Sequence, residues 1–243
     1  MIYNGQTRFD IRCEWGEQSV TALAADSDAV IIVDVLSFST CVAIAVHNGA
    51  IVYPFHSNTM TAQDYAREKD ALLAVKQRNT KGYSLSPLSL MTIPAQTKIV
   101  LPSPNGSLLS TLTGNKPTFT GCLRNARAVA LAAQKFGIRI TVIPAGERWF
   151  ATNSSLRPAL EDTIGAGAII HYLSGKKSME AQAAESTFLQ FRNQLQSCFK
   201  NIGSGIELID KGFAKDVELA AELNVSDKAP RLRNSAYRAL LHS

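Results

Sequence analysis

Short apolar runs alternate with longer, alanine-rich stretches along most of this chain. The runs are rich in β-branched residues and have the length of buried strands, whereas the stretches between them have the spacing of helices. The predicted strands are Phe9 to Cys13, Ala29 to Val35, Ile51 to Phe55, Ala71 to Val75, Lys98 to Leu101, Thr118 to Thr120 and Arg139 to Pro144. The predicted helices are Ser39 to His47, Thr59 to Lys69, Ser107 to Leu112, Asn125 to Phe136 and Thr163 to Leu173. This alternation predicts an α/β fold with a mostly parallel sheet.

The pattern changes after Ser174, where helix-forming residues dominate and no convincing strand follows. Predicted helices cover Met179 to Phe199 and Lys215 to Leu223. We therefore expect a helical C-terminal layer, about residues 175–243, that covers the sheet of a single domain spanning residues 1–243. A segment rich in Ser, Pro, Thr and Gly, Gln77 to Gln96, is predicted to be a long loop, and such loops in compact domains are often functional.

Composition narrows the class of protein. Hydrophobic residues make up 46% of the 243 residues and charged residues 19%, which argues against a disordered or fibrous chain. The four cysteines are scattered, so neither a disulfide framework nor a zinc site is indicated. No apolar window or leader pattern suggests a membrane, and we expect a cytoplasmic protein. The net charge of +5 favours acidic ligands, but the basic residues are dispersed, which argues against nucleic acid.

One apolar run, Ala29 to Val35, carries a single carboxylate, Asp34, near its end. Asp is almost never buried without a partner, so Asp34 either holds a ligand or caps the turn that follows. Ser39 or Thr40 can cap the next helix. A strand, an acid, a hydroxyl-rich turn and a helix are the parts from which α/β enzymes build anion and metal sites.

Other predicted strands also end in polar turns. Asn105, Gly106 and Ser107 open a helix after the fifth strand, where backbone N–H groups would point at an anion. An ordinary turn with a Ser cap is the alternative. Asn125, after the sixth strand, can cap a helix or contact a ligand. Because the carboxyl ends of parallel strands share one edge of a sheet, we expect these turns to meet there.

Two further acidic segments complete the candidate site. Glu147 and Arg148 follow the last predicted strand, where they could bind a metal and a phosphate or form a surface ion pair. Glu161 and Asp162 open a helix of small residues, where acids also stabilise the helix dipole. Together with Asp34 they form an oxygen-ligand set that suits Mg²⁺. This set indicates phosphate-ester chemistry.

At these residues the chain resembles the 2-phosphosulfolactate phosphatase family. The matching segments occur in family order: Val33-Asp34-Val35-Leu36 with Ser39-Thr40, Asn48-Gly49-Ala50, Asn105-Gly106-Ser107, Gly121 to Ala126, Ala145-Gly146-Glu147, and Leu160-Glu161-Asp162 with Gly165 to Ile169. The resemblance implies a three-layer α/β/α fold, a magnesium site, and hydrolysis of the phosphate ester of a small sulfonated or carboxylated hydroxy acid.

The long loop departs from the family pattern. Family members usually carry Gly-Glu-Arg and Gly-Asn-Ser-Pro there, whereas this chain has Lys76-Gln77-Arg78 and Ser84-Leu85-Ser86-Pro87. Pro104 replaces the usual Thr before Asn-Gly. These changes leave the metal-ligand candidates intact. If the loop orients the anionic end of the substrate, they would shift the preference from 2-phosphosulfolactate to a related phosphorylated acid.

We hypothesise that Mg²⁺ is held by Asp34, Glu161 and Asp162, with Glu147 or one of the paired acids as general base for an attacking water. Asn105 is the further catalytic candidate. The candidate substrate contacts are Ser39, Thr40, Asn105, Gly106, Ser107, Asn125, Arg124, Arg148 and Arg78. The expected partner is a small phosphorylated anion, and oligomeric state stays open, a homo-oligomer included.

Three alternatives remain at this point. Asp34 could itself be the nucleophile and form an aspartyl-phosphate, although Leu36 occupies the place of the second acid in haloacid-dehalogenase phosphatases. A non-catalytic binder of a phosphorylated or carboxylated metabolite would use the same anion site without turnover. A nucleotide-binding regulatory domain has no sequence fingerprint here.

Overall fold

The computed structural model describes residues 5–78, 82–149 and 155–240. Residues 79–81 of the predicted loop and 241–243 of the predicted C-terminal layer lie outside the described residues. The strands are β1 (Ile11–Cys13), β2 (Ala29–Val33), β3 (Ile51–Phe55), β4 (Leu72–Leu73), β5 (Lys98–Pro102), β6 (Thr118–Thr120), β7 (Ile140–Pro144), β8 (Glu147–Arg148), β9 (Leu156–Arg157), β10 (Pro230–Arg233) and β11 (Ala236–Ala239). The first seven confirm the predicted strands.

The helices are α1 (Gly16–Leu23), α2 (Phe38–His47), α3 (Ala62–Glu68), α4 (Gly106–Leu112), α5 (Ala126–Ala133), α6 (Leu160–His171), α7 (Met179–Phe191), α8 (Leu195–Asn201), α9 (Gly203–Asp210) and α10 (Ala214–Ala220). The predicted helix over Met179 to Phe199 is divided into α7 and α8, and α1 and α9 were not predicted. None of the helices in the described ranges is long and apolar enough to cross a membrane.

Nine strands form one mixed sheet in the order β1-β7-β2-β6-β10-β11-β3-β5-β4. Neighbouring strands are parallel within the groups β1-β7-β2-β6 and β3-β5-β4. The β10–β11 hairpin separates the groups and is antiparallel to both neighbours. With helices on the sheet, this arrangement confirms the predicted α/β class with its mostly parallel, mixed sheet and three-layer architecture.

The hairpin corrects two expectations. The prediction of no strand after Ser174 is wrong, because Leu232 and Tyr237 pair across β10 and β11 while arginines at alternate positions mask the apolar pattern. Asn234 and Ser235 form its tight turn, with φ of 50° and 61°. The hairpin also makes the two parallel groups run in opposite directions. The strand ends therefore do not all share one edge of one parallel sheet, as we expected.

Two elements bring the site together through close packing. In α2, every residue from Phe38 to Val46 is buried, as expected for a helix that is apolar on all sides. In α6, small residues allow contact with both neighbouring layers. A Cβ on Gly165 would lie 2.6 Å from Val35 Cγ2, and one on Gly167 would lie 2.0 Å from the carbonyl oxygen of Ala184 in α7. The N-terminus of α6 is therefore held against the end of β2.

Candidate active site

Asp34 follows β2 directly and is only 6% exposed. Its Oδ2 accepts hydrogen bonds from the Gly106 N–H at 2.8 Å and from Ser103 Oγ at 3.3 Å. Its Oδ1 accepts a longer bond, 3.4 Å, from the Phe38 N–H. Asp34 thus joins the turn after β2 to the turn after β5. The two predicted turns meet, although their strands belong to oppositely directed groups.

Gly106 meets Asp34 closely because it has no side chain. A Cβ at this position would lie 2.3 Å from Phe38 Cδ1 and 2.8 Å from Asp34 Oδ2. The absence of a side chain lets the backbone N–H at the start of α4 reach the carboxylate. The Asn-Gly-Ser segment therefore fixes the position of Asp34.

Asp162, in the first turn of α6, connects the ends of two strands. Its Oδ1 accepts from the Val35 N–H at 2.7 Å, and its Oδ2 accepts from the Gly146 N–H at 2.9 Å. Val35 lies in the turn after β2 and Gly146 in the turn after β7. With both oxygens bonded to backbone, Asp162 aligns these turns beneath the site.

Glu161 differs from its neighbour. It is only 2% exposed, and no side chain or backbone group of the described residues donates a hydrogen bond to its carboxylate. Its negative charge raises the pKa of Asp34, Glu147 and Asp162. A carboxylate with so little exposure and no donor among the described residues is suited to a neighbouring cation.

Glu147 lies in β8 at the end of the acidic cluster. Burial, followed by the charges of Asp34 and Glu161, raises the pKa of Glu147 to about 7. Asn105 Nδ2 donates to Glu147 Oε2 at 3.2 Å, and Arg157 also opposes the rise. Glu147 can therefore exchange a proton near neutral pH. Asn105 is placed to orient it.

The pKa values of Asp34 and Asp162 are raised as well. Burial raises the pKa of Asp34 to about 6, against the hydrogen bonds from Gly106, Phe38 and Ser103. Burial, then the charges of Asp34 and Glu161, raise the pKa of Asp162 well above its ordinary value. Groups that raise each other's pKa in this way share one negative field, which a cation would offset.

A cleft of about 710 Å³ opens beside Glu147. Its walls carry four basic side chains, from the long loop, from β8 and β9, and from the C-terminal helices: Arg78, Arg148, Arg157 and Lys211. Leu36, Ser204, Glu207 and Phe213 also line it, and Glu207 forms an ion pair with Lys211. A mainly basic wall next to a buried acidic cluster is suited to an anion whose phosphate meets the acids through a metal ion.

Several predicted substrate contacts are fully buried and hold the backbone instead of lining this cleft. Ser39 Oγ accepts from the Asp34 N–H, and Thr40 Oγ1 donates to the Val35 carbonyl. Ser107 Oγ donates to the Leu101 carbonyl, and Asn125 Oδ1 accepts from the Cys122 N–H. These side chains position the turns, so their role in the site is indirect.

The three predicted arginines have different places. Arg78 and Arg148 line the cleft. Arg148 also forms an ion pair with Glu17, which was the alternative considered for this segment. Arg124 is 8% exposed, pairs with Glu222 and donates to the Leu219 carbonyl at 2.9 Å. Arg124 therefore anchors the C-terminal layer and does not line the cleft.

Sequence reasoning missed three groups of the site. Arg157 lies in β9 directly before Pro158, in a segment whose acids, Glu161 and Asp162, were the predicted site residues. Lys211 follows α9 and enters the cleft because the C-terminal layer folds over the sheet. Ser103 contacts Asp34 from the turn after β5. The polar turn itself was predicted to supply hydroxyls to the site, although Ser103 was not named as a contact, whereas the places of Arg157 and Lys211 depend on tertiary contacts.

The acids of the site could hold a metal ion only together with other ligands. Within residues 5–78, 82–149 and 155–240, no three His, Cys, Asp or Glu side chains are arranged to hold a metal ion together. Mg²⁺ does not need such a set, because it usually keeps several waters and uses one or two carboxylates plus phosphate oxygens. Glu161, without donors, and Asp34, bonded mainly through Oδ2, fit that requirement. The donor set therefore suits Mg²⁺ in the presence of a phosphate.

Comparison with known proteins supports a phosphate-ester site. A model of the family described as 2-phosphosulpholactate phosphatase matches residues 17–235. The chain belongs to the 2-phosphosulfolactate phosphatase family. It is 33% identical to a probable 2-phosphosulfolactate phosphatase of Carboxydothermus hydrogenoformans over 214 residues, which cover 85% of this chain and 87% of that relative.

More distant relatives agree over similar lengths. The 2-phosphosulfolactate phosphatase of Methanothermobacter thermautotrophicus is 27% identical over 86% of this chain and 88% of its own length. A probable 2-phosphosulfolactate phosphatase of Thermosynechococcus vestitus is 24% identical over 82% and 86%. Membership of the 2-phosphosulfolactate phosphatase family confirms the predicted resemblance and the predicted enzyme class, a phosphoric monoester hydrolase.

Proposed function

We propose that the protein is a magnesium-dependent phosphatase that hydrolyses 2-phosphosulfolactate or a closely related phosphate ester of a small anionic hydroxy acid. The observation that carries this proposal is the meeting of an acidic cluster, Asp34, Glu147 and Glu161, with a cleft lined by basic side chains. Family membership supports the reaction class. The proposal includes a cytoplasmic location, which rests on four cysteines that are all free.

The cleft explains how the substrate would be held. A phosphate ester that also carries a carboxylate and a sulfonate has several negative charges, and Arg side chains bind such groups through paired hydrogen bonds. Arg78, Arg148, Arg157 and Lys211 surround the space next to Glu147. They would hold the acid groups of the substrate and orient the phosphate toward Asp34 and Glu161.

Mg²⁺ would be held by Asp34 and Glu161, with Asp162 beside them as the third acid named from the sequence. When bound, Mg²⁺ neutralises charge on the phosphate oxygens and so stabilises the transition state. The chain's own part is to fix these carboxylates. Gly106 and Ser103 hold Asp34, while Asp162 aligns the turns after β2 and β7.

Glu147 is our candidate general base. A base works best with a pKa close to the working pH, and burial with its neighbours brings the pKa of Glu147 to about 7. Asn105 Nδ2 orients one oxygen and leaves the other to accept a proton from the attacking water. The competing route makes Asp34 the nucleophile. The stereochemical course at an isotopically chiral phosphate distinguishes them, because one in-line displacement by water inverts the configuration at phosphorus, whereas two displacements through an aspartyl-phosphate retain it.

The test is release of inorganic phosphate from 2-phosphosulfolactate, measured with Mg²⁺ and with EDTA. We expect release only with Mg²⁺, and its loss in Asp34→Asn. Asp70→Asn is the matched control, since Asp70 is 95% exposed and its left-handed backbone suits Asn. Binding of phosphate esters without turnover, across a broad panel, would refute the phosphatase and support the non-catalytic binder.

A further inference from the structure

One buried carboxylate, Asp216 of α10, fastens the loop between β4 and β5 to the C-terminal helices. The Asp216 side chain is 1% exposed. Its Oδ1 accepts from Ser86 Oγ at 2.7 Å and from the Leu88 N–H at 2.9 Å. Its Oδ2 accepts from Arg78 Nη1 at 3.0 Å. All three donors belong to the loop, so Asp216 is a point at which the C-terminal layer fixes it.

Arg78 extends this connection to the active site. Its Nη2 donates to Ser37 Oγ at 3.1 Å, and Ser37 lies in the same turn as Asp34. Its guanidinium lies 5.4 Å from the centre of the Phe213 ring. The bonds to Asp216 and Ser37 use two of the five N–H donors of a guanidinium, so donors remain for a ligand in the cleft that Arg78 lines.

We propose that Asp216 is a positioning residue that holds Arg78 in the cleft wall, where Arg78 binds an anionic group of the substrate. The inference rests on the proposed function. An arginine already fixed in its binding conformation loses less conformational freedom when the ligand arrives, so it binds more tightly. The C-terminal helical layer thereby sets substrate affinity through a residue that does not line the cleft.

The two carboxylate oxygens of Asp216 have different partners, so one substitution can disrupt the contact with Arg78 alone. In Asp216→Asn, the amide oxygen can still accept from Ser86 and Leu88, which leaves the loop attached. The amide NH₂ then faces the guanidinium of Arg78, so a donor meets a donor and the charge pair is lost. Asp216→Asn should therefore release Arg78 and preserve the rest of the loop.

Steady-state hydrolysis of 2-phosphosulfolactate provides the test. We expect Asp216→Asn to raise KM about tenfold, as loss of one charge-assisted hydrogen bond would, with kcat changed by less than about threefold. Arg78→Met should raise KM similarly. The double variant should be no worse than Arg78→Met alone, because Asp216 acts through Arg78. Asp227→Asn is the control and should match the wild type, because Asp227 is exposed and forms its ion pair with its neighbour Lys228.

Three results would overturn the inference. They are a wild-type KM in Asp216→Asn, a decrease in kcat with no change in KM, and a KM of the double variant that is raised by the product of the two single increases. Thermal unfolding reports whether each variant folds. If Asp216→Asn does not fold, Arg78→Lys takes its place, because a lysine cannot reach both Asp216 and Ser37 with a planar fork. It should raise KM, and wild-type KM there would overturn the inference.

Binding separates this inference from the proposed function. Calorimetric titration with 2-phosphosulfolactate in EDTA measures affinity without turnover. If the wild type binds the ester in EDTA but does not hydrolyse it when Mg²⁺ is supplied, the proposed function fails. In that case, an approximately tenfold weaker affinity in Asp216→Asn would still support the positioning role. An unchanged affinity would refute it.

Discussion

Asp34 should destabilise the metal-free protein at neutral pH. Burial raises the pKa of Asp34 from 3.8 to about 6 in the folded protein, so the folded state binds a proton more readily than the unfolded chain. The stability that protonated Asp34 contributes is therefore present below pH 3.8 and is lost as the pH rises through about 6. At 1.36 kcal/mol per pKa unit, the cost is about 3 kcal/mol above pH 7.

Asp34→Asn removes this cost while keeping most contacts. The amide oxygen can accept from the Gly106 N–H and Ser103 Oγ, which bond to Oδ2 in the wild type. Only the 3.4 Å bond from the Phe38 N–H is lost, at about 0.5–1.5 kcal/mol. We therefore expect Asp34→Asn to be more stable than the wild type by about 2 kcal/mol at pH 8 in EDTA, or about 4–8 °C in Tm.

Urea unfolding at pH 4 and pH 8 in EDTA measures this difference, with Asp70→Asn as the exposed control. The advantage of Asp34→Asn should largely disappear at pH 4, where the wild-type carboxyl is protonated in the folded state. Two results would refute the electrostatic reasoning. Asp34→Asn could be less stable than the wild type at pH 8, or its free energy of unfolding could differ from that of the wild type by the same amount at both pH values.

Two further predictions follow from the packing and from the candidate base. Gly167→Ala should lower stability by at least about 1–3 kcal/mol in urea unfolding, because its Cβ would lie 2.0 Å from the Ala184 carbonyl oxygen. Gly203→Ala, with no atom within 4 Å of its Cβ, should be neutral or slightly stabilising, and equal losses would contradict the packing argument. Glu147→Gln should reduce kcat about 10²–10⁴-fold and remove the acidic limb of the pH–rate profile, whereas Glu68→Gln should match the wild type. A limb that persists in Glu147→Gln would exclude Glu147 as the base.

The elements with a simple apolar pattern could be predicted from the sequence. Ile51–Phe55 and Thr118–Thr120 agree with the predicted strands residue for residue, because buried strands require continuous apolar or β-branched runs. The β10–β11 hairpin could not be found in this way. Arginines interrupt the apolar pattern there, as Arg238 does after the buried Tyr237, and the pairing depends on the contact with β3.

The acids of the site, with Arg78 and Arg148, followed from local sequence, whereas Arg157 and Lys211 depended on tertiary structure. Asp34 directly follows β2, and Asp162 accepts a hydrogen bond from Val35 in the turn after that strand. The environments of both acids are set by short turns that could be identified in the sequence. Lys211 and Asp216 reach the cleft or its loop only because α9 and α10 pack over the sheet. No local pattern distinguishes these residues from other charged positions of exposed helices.

A crystal structure of the protein soaked with Mn²⁺ and phosphate tests the central claim most directly, because Mn²⁺ replaces Mg²⁺ at oxygen sites and gives an anomalous signal. The account predicts one metal peak bonded to Asp34 or Glu161, with phosphate bound between that ion and the basic side chains of the cleft. A metal bound elsewhere, or phosphate bound at this site with no metal beside it, would contradict the account.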